Sequence, residues 1–378
     1  VFEIGSITKV FTSLALADMI ERGEVKPDDP VASFLPPGVK VPSRNGRQIT
    51  LLDLSMQISG LPRLPDNLKP ADPVNPYVDY DAARLYDFLS RYTLTRDPGQ
   101  KYEYSNLGAG LLGQALALKA GMSYEELIRR RILAPLGMTS TSITLPDPLK
   151  KRLAPGYDGS LHPAKNWDFA ALAGCGALRS TANDMLKFLA ANLELTGSPL
   201  KAAMRRMRSV RKETGVPDLE IAMAWHILTR FGGDLYWHNG GTAGYRSFAG
   251  YNLEKKEGVV VLCNTFLDND DLGRHILESR YPVATFQKEI QVDPAVLERY
   301  AGEYELTPSF KIAVTREGAR LFIQATAQPR VEIFAQSEAE FFLKVVDARI
   351  TFVQDASGKV TELILHQGGM DQKARKVK

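Results

Sequence analysis

The chain of 378 residues is 44% hydrophobic and 24% charged, the proportions of a folded protein with room for two or three domains. Its 47 basic and 44 acidic residues leave +3 at pH 7, which argues against a nucleic-acid partner, and no apolar run is long enough to span a bilayer. Two cysteines, Cys175 and Cys263, lie far apart in apolar surroundings; they read as buried free thiols, and no spacing of ligand residues suits a metal.

At the start of the chain, Phe2-Glu3-Ile4-Gly5 leads into an apolar-periodic stretch ending near Arg22, with Gly23 placed to terminate a helix. Ser6 and Lys9 stand three apart at the start of that helix and share a face. A serine hydroxyl must lose its proton to act as a nucleophile. A lysine accepts that proton only when burial or nearby charge lowers its pKa. The helix N-terminus also favours negative charge developing on the serine oxygen. Alone, Ser6-Ile7-Thr8-Lys9 is more simply read as an ordinary capped helix.

Asp66 to Tyr80, rich in proline and asparagine, reads as a long surface loop lining a cleft. Pro98-Gly99 marks a turn, and Lys101 to Tyr104 reads as a short extended piece. Asn106 opens a helical stretch, Leu107 to Ala120, closed by Gly121. Tyr104-Ser105-Asn106 therefore falls on a loop between elements, where reactive groups are commonly presented. A phenol beside a lysine ammonium is expected to have its pKa lowered and to serve as a base. Asn106 is expected to hydrogen-bond both Lys9 and an incoming amide. Alone, this motif is a packed tyrosine beside an N-cap asparagine. Ser123-Tyr124-Glu125-Glu126 then reads as a capping box before an apolar helix.

From Trp225 to Asn264 the pattern turns to short strands. Leu235-Tyr236-Trp237 runs into His238-Asn239-Gly240-Gly241, and Gly240, Gly241 and Gly244 leave room for a substrate backbone. The N–H groups of Ser6 and Gly241 are candidates for an oxyanion hole, with His238 beside the substrate. Alone, the segment is a glycine-rich hairpin with an incidental histidine. Ser247 to Leu253 and Gly258 to Asn264 flank the charged hairpin tip Glu254–Glu257. Asp268 to Tyr281 returns to helix. His162, His226, His275 and His366 lack acidic or cysteine neighbours at ligand spacing and read as structural.

Beyond residue 293 the composition changes. A short helix, Asp293 to Tyr300, precedes six strand-like runs, at 311–315, 320–324, 331–334, 340–344, 349–353 and 360–364, with turns at Arg316-Glu317-Gly318 and Asp355 to Gly358. The basic end, Lys373 to Lys378, reads as a terminal strand or a frayed end. The runs read as an all-β, barrel-like domain, a small β-barrel or curved sheet; no acid–base constellation lies in this region, so a packing or oligomerisation module is its simplest reading.

Three motifs in this order, Ser6-Ile7-Thr8-Lys9, Tyr104-Ser105-Asn106 and His238-Asn239-Gly240-Gly241, resemble those of the penicillin-recognising serine hydrolases, most closely the class C β-lactamase branch with its DD-peptidases and esterases. Leu51-Leu52-Asp53-Leu54, Ser59-Gly60-Leu61-Pro62, Pro135-Leu136-Gly137-Met138 and Gly176 to Thr181 strengthen the resemblance, which covers roughly residues 1 to 285. It implies an α/β (α+β) fold: an antiparallel sheet flanked by helices, a helical subdomain between the early and late segments, and the site at their seam. It implies Ser6, Lys9 and Tyr104 as catalytic residues, with Asn106, His238, Gly240, Gly241 and Asn264 binding substrate, and places Asn264 near a substrate carboxylate. The segment after 293 resembles the lipocalin-like domain of distant class C relatives. The expected domains are 1–285, a linker at 286–292, and 293–378.

Three departures accompany the resemblance. His238 stands where the family has a lysine. Arg63 and Leu64 follow Gly60-Leu61-Pro62 in place of a side-chain amide. No arginine follows Asn264 at the family's spacing. Should His238 not read a carboxylate, Arg63 and Arg246 are the next candidates. Relatives also place a helix and early strands before the nucleophile, so the chain reads as part of a longer product. The resemblance implies a periplasmic or secreted enzyme acting on a small-molecule or peptide substrate (a β-lactam amide, a D-amino-acid peptide or a small ester) with no metal or organic cofactor. A carboxylesterase or DD-peptidase with little β-lactamase activity is the alternative enzyme. A non-hydrolytic module binding or sensing β-lactams or peptidoglycan fragments is the alternative from another class.

Overall fold

Helix α1 (Thr8–Glu21) carries no polar face: every residue from Thr8 to Met19 is buried. A helix apolar on all sides belongs in the middle of a core, and α1 runs through the centre of this one. Phe11 of α1 stacks on Phe188 of α3 (Ala182–Asn192) with centroids 4.4 Å apart, and Phe188 stacks in turn on Trp225. Helix α4 (Lys201–Ser209) adds Met204 and Met207 to the same cluster. Helix α2 (Asn106–Ala120), ended by Gly121 at φ +65°, supplies Leu111, Leu112, Leu116 and neighbours.

The late strands form one antiparallel sheet of six: β1 (Lys212–Glu213), β2 (Leu219–Ile221), β3 (His226–Leu228), β4 (Leu235–Gly241), β5 (Arg246–Asn252) and β6 (Glu257–Cys263), each paired with the next. Strand side chains alternate between faces. Ala249 and Tyr251 of β5 join the large core, whereas Phe248 packs with Leu235 and with Leu277 of α5 (Asp270–Leu277) in a second cluster. Helix α5 lies so close to the sheet that a Cβ on Gly273 would sit 2.2 Å from the Phe248 ring. The sheet is thus covered by helices on both faces, as expected of the β-lactamase/DD-peptidase fold. Cys175 is buried and free; Cys263 is free but only half-buried, a correction to its expected burial that follows from its place on edge strand β6.

The computed structural model describes residues 1–284, 288–308, 310–326, 328, 330–344, 346, 348–367 and 370–377. Of the expected boundary and linker, residues 285–287 lie outside the described residues, as does Lys378. The chain divides into two compact units, Val1–Val283 and Ala284–Lys378.

The second unit is a closed antiparallel barrel of eight strands: β7 (Gly302–Thr307), β8 (Phe310–Glu317), β9 (Arg320–Ala325), β10 (Val331–Ala335), β11 (Glu340–Phe342), β12 (Ala348–Gln354), β13 (Val360–Gln367) and β14 (Met370–Lys376). Six of these were legible as strands, and β14 settles the basic end as a strand up to Lys376. Closure removes the exposed edges that an open sheet presents. Tyr304, Ile312, Val314, Leu321, Ile323, Phe341, Ile350, Phe352 and Leu363 turn inward, and the short helix Pro294–Glu298 adds Leu297 to the same core. No helix among the described residues is long and apolar enough to cross a membrane.

Candidate active site

Ser6 lies in a 3₁₀ turn, Gly5–Ile7, which feeds directly into α1. The turn is fixed from both sides. Strand Phe2–Glu3 pairs with Arg179–Ser180, and buried Glu3 meets Arg179 at 3.2 Å. Ile4 donates its N–H to the Leu178 carbonyl (3.1 Å), while its own carbonyl accepts from Ser247 Oγ on β5 (2.9 Å). Gly5 has φ +47°, a conformation that favours glycine.

Lys9, one turn further on, is 1% exposed. Its Nζ donates to Ser6 Oγ (2.9 Å) and to the Cys175 carbonyl (2.7 Å). Residues 174–178 are held there by α1 itself: Thr12 Oγ1 donates to the Gly174 carbonyl and Thr8 Oγ1 accepts from the Leu178 N–H. Burial brings the Lys9 pKa down to about 8; the Cys175 thiol opposes the fall, and the Arg63 guanidinium adds to it.

Tyr104 precedes α2, whose N-cap is Ser105 rather than Asn106: the Ser105 hydroxyl accepts from the Gly108 N–H. Lys101 to Tyr104 forms no strand. Gln57 holds the loop instead. Its backbone carbonyl accepts from the Glu103 N–H (2.8 Å) and its side chain from the Ser105 N–H (2.6 Å), so both neighbours of Tyr104 are fixed. The Tyr104 ring lies 4.8 Å from Lys9 Nζ and 5.0 Å from the Arg63 guanidinium. Its phenol faces Ser6 closely enough for the serine to lower its pKa, yet burial outweighs that and pushes the pKa well up. The expected lowered phenol pKa is thereby corrected: loss of hydration opposes the phenolate more than the Ser6 hydroxyl and the Arg63 guanidinium favour it.

Asn106 does not bond Lys9 as expected. Its side chain lies near enough to the Tyr77 phenol to oppose in part the rise in pKa that burial imposes there, and its buried Oδ1 has no partner. An unpaired buried acceptor is costly unless something arrives to donate to it.

Strand β4 closes the site. Tyr236, His238 and Gly240 face the α1 side, whereas Trp237 and Asn239 face α5, where Asn239 Nδ2 donates to Asp270 (2.6 Å). Strand β3 pairs with β4 only over Leu235–Trp237, but β5 pairs along Leu235–Gly241, so one edge of 238–241 is open. Thr242 donates its N–H to the Tyr245 carbonyl on the β5 side. Successive amides alternate, so the Gly241 N–H points to the open edge. There a Cβ on Gly5 would sit 2.7 Å from the Gly241 nitrogen. Gly240 packs directly on Ile4, where a Cβ would meet the Ile4 carbonyl at 2.0 Å. Gly244 serves packing instead of the open edge: its Cβ would lie 2.8 Å from the Gly156 backbone.

His238 is 1% exposed, its Nδ1 2.6 Å from the Asn239 carbonyl. Burial, with His226 and Lys9 nearby, pulls its pKa well below the ordinary histidine value. His226, read from sequence as structural, packs 5.1 Å from His238 and 6.5 Å from Tyr104, with Nε2 2.9 Å from the Tyr102 hydroxyl. Asn264 ends at the same edge of the sheet as Arg246 and Cys263, but its Nδ2 is engaged by the Pro155 carbonyl (2.7 Å). Ser6, Lys9, Tyr104, Asn106, His238, Gly240 and Gly241 thus converge, and Asn264 serves as an anchor for the segment at 155–157.

A sequence model of the β-lactamase family matches residues 1–279. The chain belongs to the β-lactamase family. Its homologues are class C β-lactamases and D-alanyl-D-alanine carboxypeptidases, so the first unit is a domain of this serine hydrolase family. The D-alanyl-D-alanine-carboxypeptidase/endopeptidase AmpH of Escherichia coli K12 is 35% identical over 189 residues, covering 50% of this chain and 48% of the relative; the match thus spans about half of that relative's length. Penicillin-binding protein 4* of Bacillus subtilis is 25% identical across 100% of this chain and 88% of its own. Among solved structures, a β-lactamase/D-alanine carboxypeptidase from Yersinia pestis has TM-score 0.65 at 28% identity, covering 73% of this chain and 83% of that one. A family model of a domain of unknown function matches residues 287–377.

Of the β-lactamase-family site, sequence reading missed Gln57 and His226. Gln57 acts through a fold 48 residues distant from Ser105, at φ +59°. Its local signal was weak, since a glutamine before Ile58-Ser59-Gly60 reads as loop.

Proposed function

We propose that the chain is a serine hydrolase that forms an acyl-enzyme on Ser6. Lys9 is the group that receives the hydroxyl proton: a lysine with pKa about 8 is partly neutral near pH 7.5 and lies 2.9 Å from Ser6 Oγ. Tyr104, its pKa raised, rests protonated; it gives its proton to the leaving group rather than acting as the base, and recovers one from the Lys9 ammonium, which returns Lys9 to its neutral form. The amides of Ser6 and Gly241 hold the oxyanion, and Asn106 Oδ1 accepts from a substrate N–H. Water then releases the acyl group, with Lys9 again neutral to take its proton.

The single observation that carries this reading is the 2.9 Å contact of buried Lys9 with Ser6 Oγ. The substrate is a carbonyl compound of the β-lactam, D-peptide or ester class. Hydrolysis of an activated aryl ester and of a penicillin is the test. Ser6→Ala is expected to abolish both while leaving the circular dichroism spectrum unchanged. Turnover by the alanine variant within about tenfold of the parent contradicts the mechanism.

A further inference from the structure

A cavity of about 410 Å³ opens in the first unit, and none of the residues proposed for chemistry lines it. Its volume falls in the ~300–1,000 Å³ range of small-molecule sites. Much of its wall is apolar and aromatic, with Leu118 of α2, Tyr124, Trp167 and Phe169. Trp167 is held in place by the protein itself: its Nε1 donates to the Val74 carbonyl (3.0 Å), and its ring meets Tyr77 edge-on at 5.4 Å. The polar part of the lining is acidic. Glu125 accepts from the N–H groups of Ile143 (2.9 Å) and Thr144 (2.7 Å) and from the Thr144 hydroxyl (2.8 Å), all neutral donors, and it makes no ion pair among the described residues. Asp168 meets Arg179 at 3.2 Å, but the same guanidinium also serves buried Glu3. Two carboxylates thus line the cavity, and its one guanidinium is shared with a third.

That balance selects the ligand. Aromatic ring faces attract cations, and an excess of carboxylates between low-dielectric walls strengthens the attraction. No group of three metal-ligating side chains converges among the described residues, so the lining suits an organic cation rather than a metal ion. The aromatic wall accommodates an apolar body attached to the charge. Such a ligand touches the segment that holds Lys9. Ala173 and Ala177 line the cavity, and Cys175 between them gives its carbonyl to Lys9 Nζ (2.7 Å). The Tyr124 hydroxyl meets Thr12 Oγ1 at 2.6 Å, and Thr12 in turn holds the Gly174 carbonyl (2.7 Å).

We propose that this cavity is an effector site for an organic ammonium ion with an apolar body, coupled to acylation of Ser6 through residues 173–177. The coupling rests on the Ser6 hydrolase reading; the binding does not. Because both ligand and Lys9 contact one short segment, occupancy of the cavity changes how that segment presents its carbonyl to Lys9.

The test is titration calorimetry of the parent with three probes of one shape: 4-phenylbutylammonium, 4-phenylbutan-1-ol and 4-phenylbutyrate. The ammonium is expected to bind about tenfold tighter than the alcohol, with the carboxylate weakest. Glu125→Gln and Asp168→Asn, each shown to be folded, are expected to weaken the ammonium by about 3- to 10-fold and to leave the alcohol within about twofold. Binding should persist after Ser6 has been blocked with a fluorophosphonate, which separates the cavity from the Ser6 cleft. Saturating ammonium is expected to change the rate of Ser6 labelling at least about threefold, in either direction, since linkage requires a coupling and leaves its sign open. No ammonium binding, equal affinity for the three probes, binding lost once Ser6 is blocked, or an unchanged labelling rate at saturation each overturns the effector role. A folded parent that takes no label at all overturns the hydrolase reading and the effector role together, whereas a labelled parent that binds no ammonium overturns the effector role alone.

Discussion

With Lys9 at 1% exposure, the cost of holding an ammonium away from water appears as a pKa near 8. The base is the neutral form. Acylation of a neutral ester should therefore rise about tenfold per pH unit below ~7 and level off above ~8, checked by a pH profile of kcat/KM. Lys9→Met is expected to lower acylation by about 10²–10⁴-fold. For stability the sign follows from protons bound. Between pH 8 and the ordinary lysine value the unfolded chain holds a proton on Lys9 that the folded chain does not, so stability rises with pH across that window. Lys9→Met should flatten this rise in denaturation curves taken at several pH values. His238 shows how far residue chemistry was legible. Its identity at the third motif was plain, and a free histidine side chain titrates near ~6.5. Burial depth is not written in a local motif, and it moves the titration well below that value. An NMR titration should find no His238 midpoint near ~6.5, whereas a normal midpoint would contradict the burial. The same blindness to depth reversed the expected direction for Tyr104.

The nucleophile turn and β4 meet backbone to backbone, which is a property of elements rather than of side chains. Gly240→Ala puts a methyl against the Ile4 carbonyl. It is expected to cost about 1–3 kcal/mol in denaturant unfolding and to reduce kcat/KM, because Ile4 leads directly to Ser6. Gln57→Ala removes the acceptor of the buried Ser105 N–H and should cost about 1–3 kcal/mol, with kcat falling more than KM changes, since Tyr104 is what moves. Elements with strong periodicity were legible: α2 with its Gly121 stop, the strand ending in His238-Asn239-Gly240-Gly241, and the Glu254–Glu257 hairpin. The misses have physical causes. Ser123 accepts from the Glu126 N–H as a capping box begins, but Glu126 pairs with Arg129 and Arg130 instead of completing it, and the α-helix passes at Ile128 into a π-helical turn, Arg129–Leu133. Strand β7 was passed over because Glu303 and Glu305 break its apolar look; on a barrel they face outward while Tyr304 fills the interior. Strand β14 was open between a terminal strand and a frayed end, because only Ala374 turns inward between Lys373 and Arg375.

At the scale of the molecule, two units carry separate cores, and the residues proposed for chemistry all lie in the first. A chain ending near Gln291 is therefore expected to keep single-turnover acylation, measured on a sample shown to be folded; loss of acylation there would assign the barrel a part in the site. The family fold and its motif order were legible because chemistry constrains them along the sequence. The β-rich end was legible as a small barrel or curved sheet; which of the two it is depends on which strands become neighbours, and the pairing of β7 with β14 closes it. The central claim is that buried Lys9 makes Ser6 a nucleophile. Its most direct test is intact-mass analysis of the chain after exposure to a fluorophosphonate at pH 8, with peptide mapping, beside Ser6→Ala and Lys9→Met. The account predicts one adduct, on Ser6, absent from Ser6→Ala and much slower in Lys9→Met. A folded chain that takes no adduct, takes it elsewhere, or labels equally fast without Lys9 would contradict it.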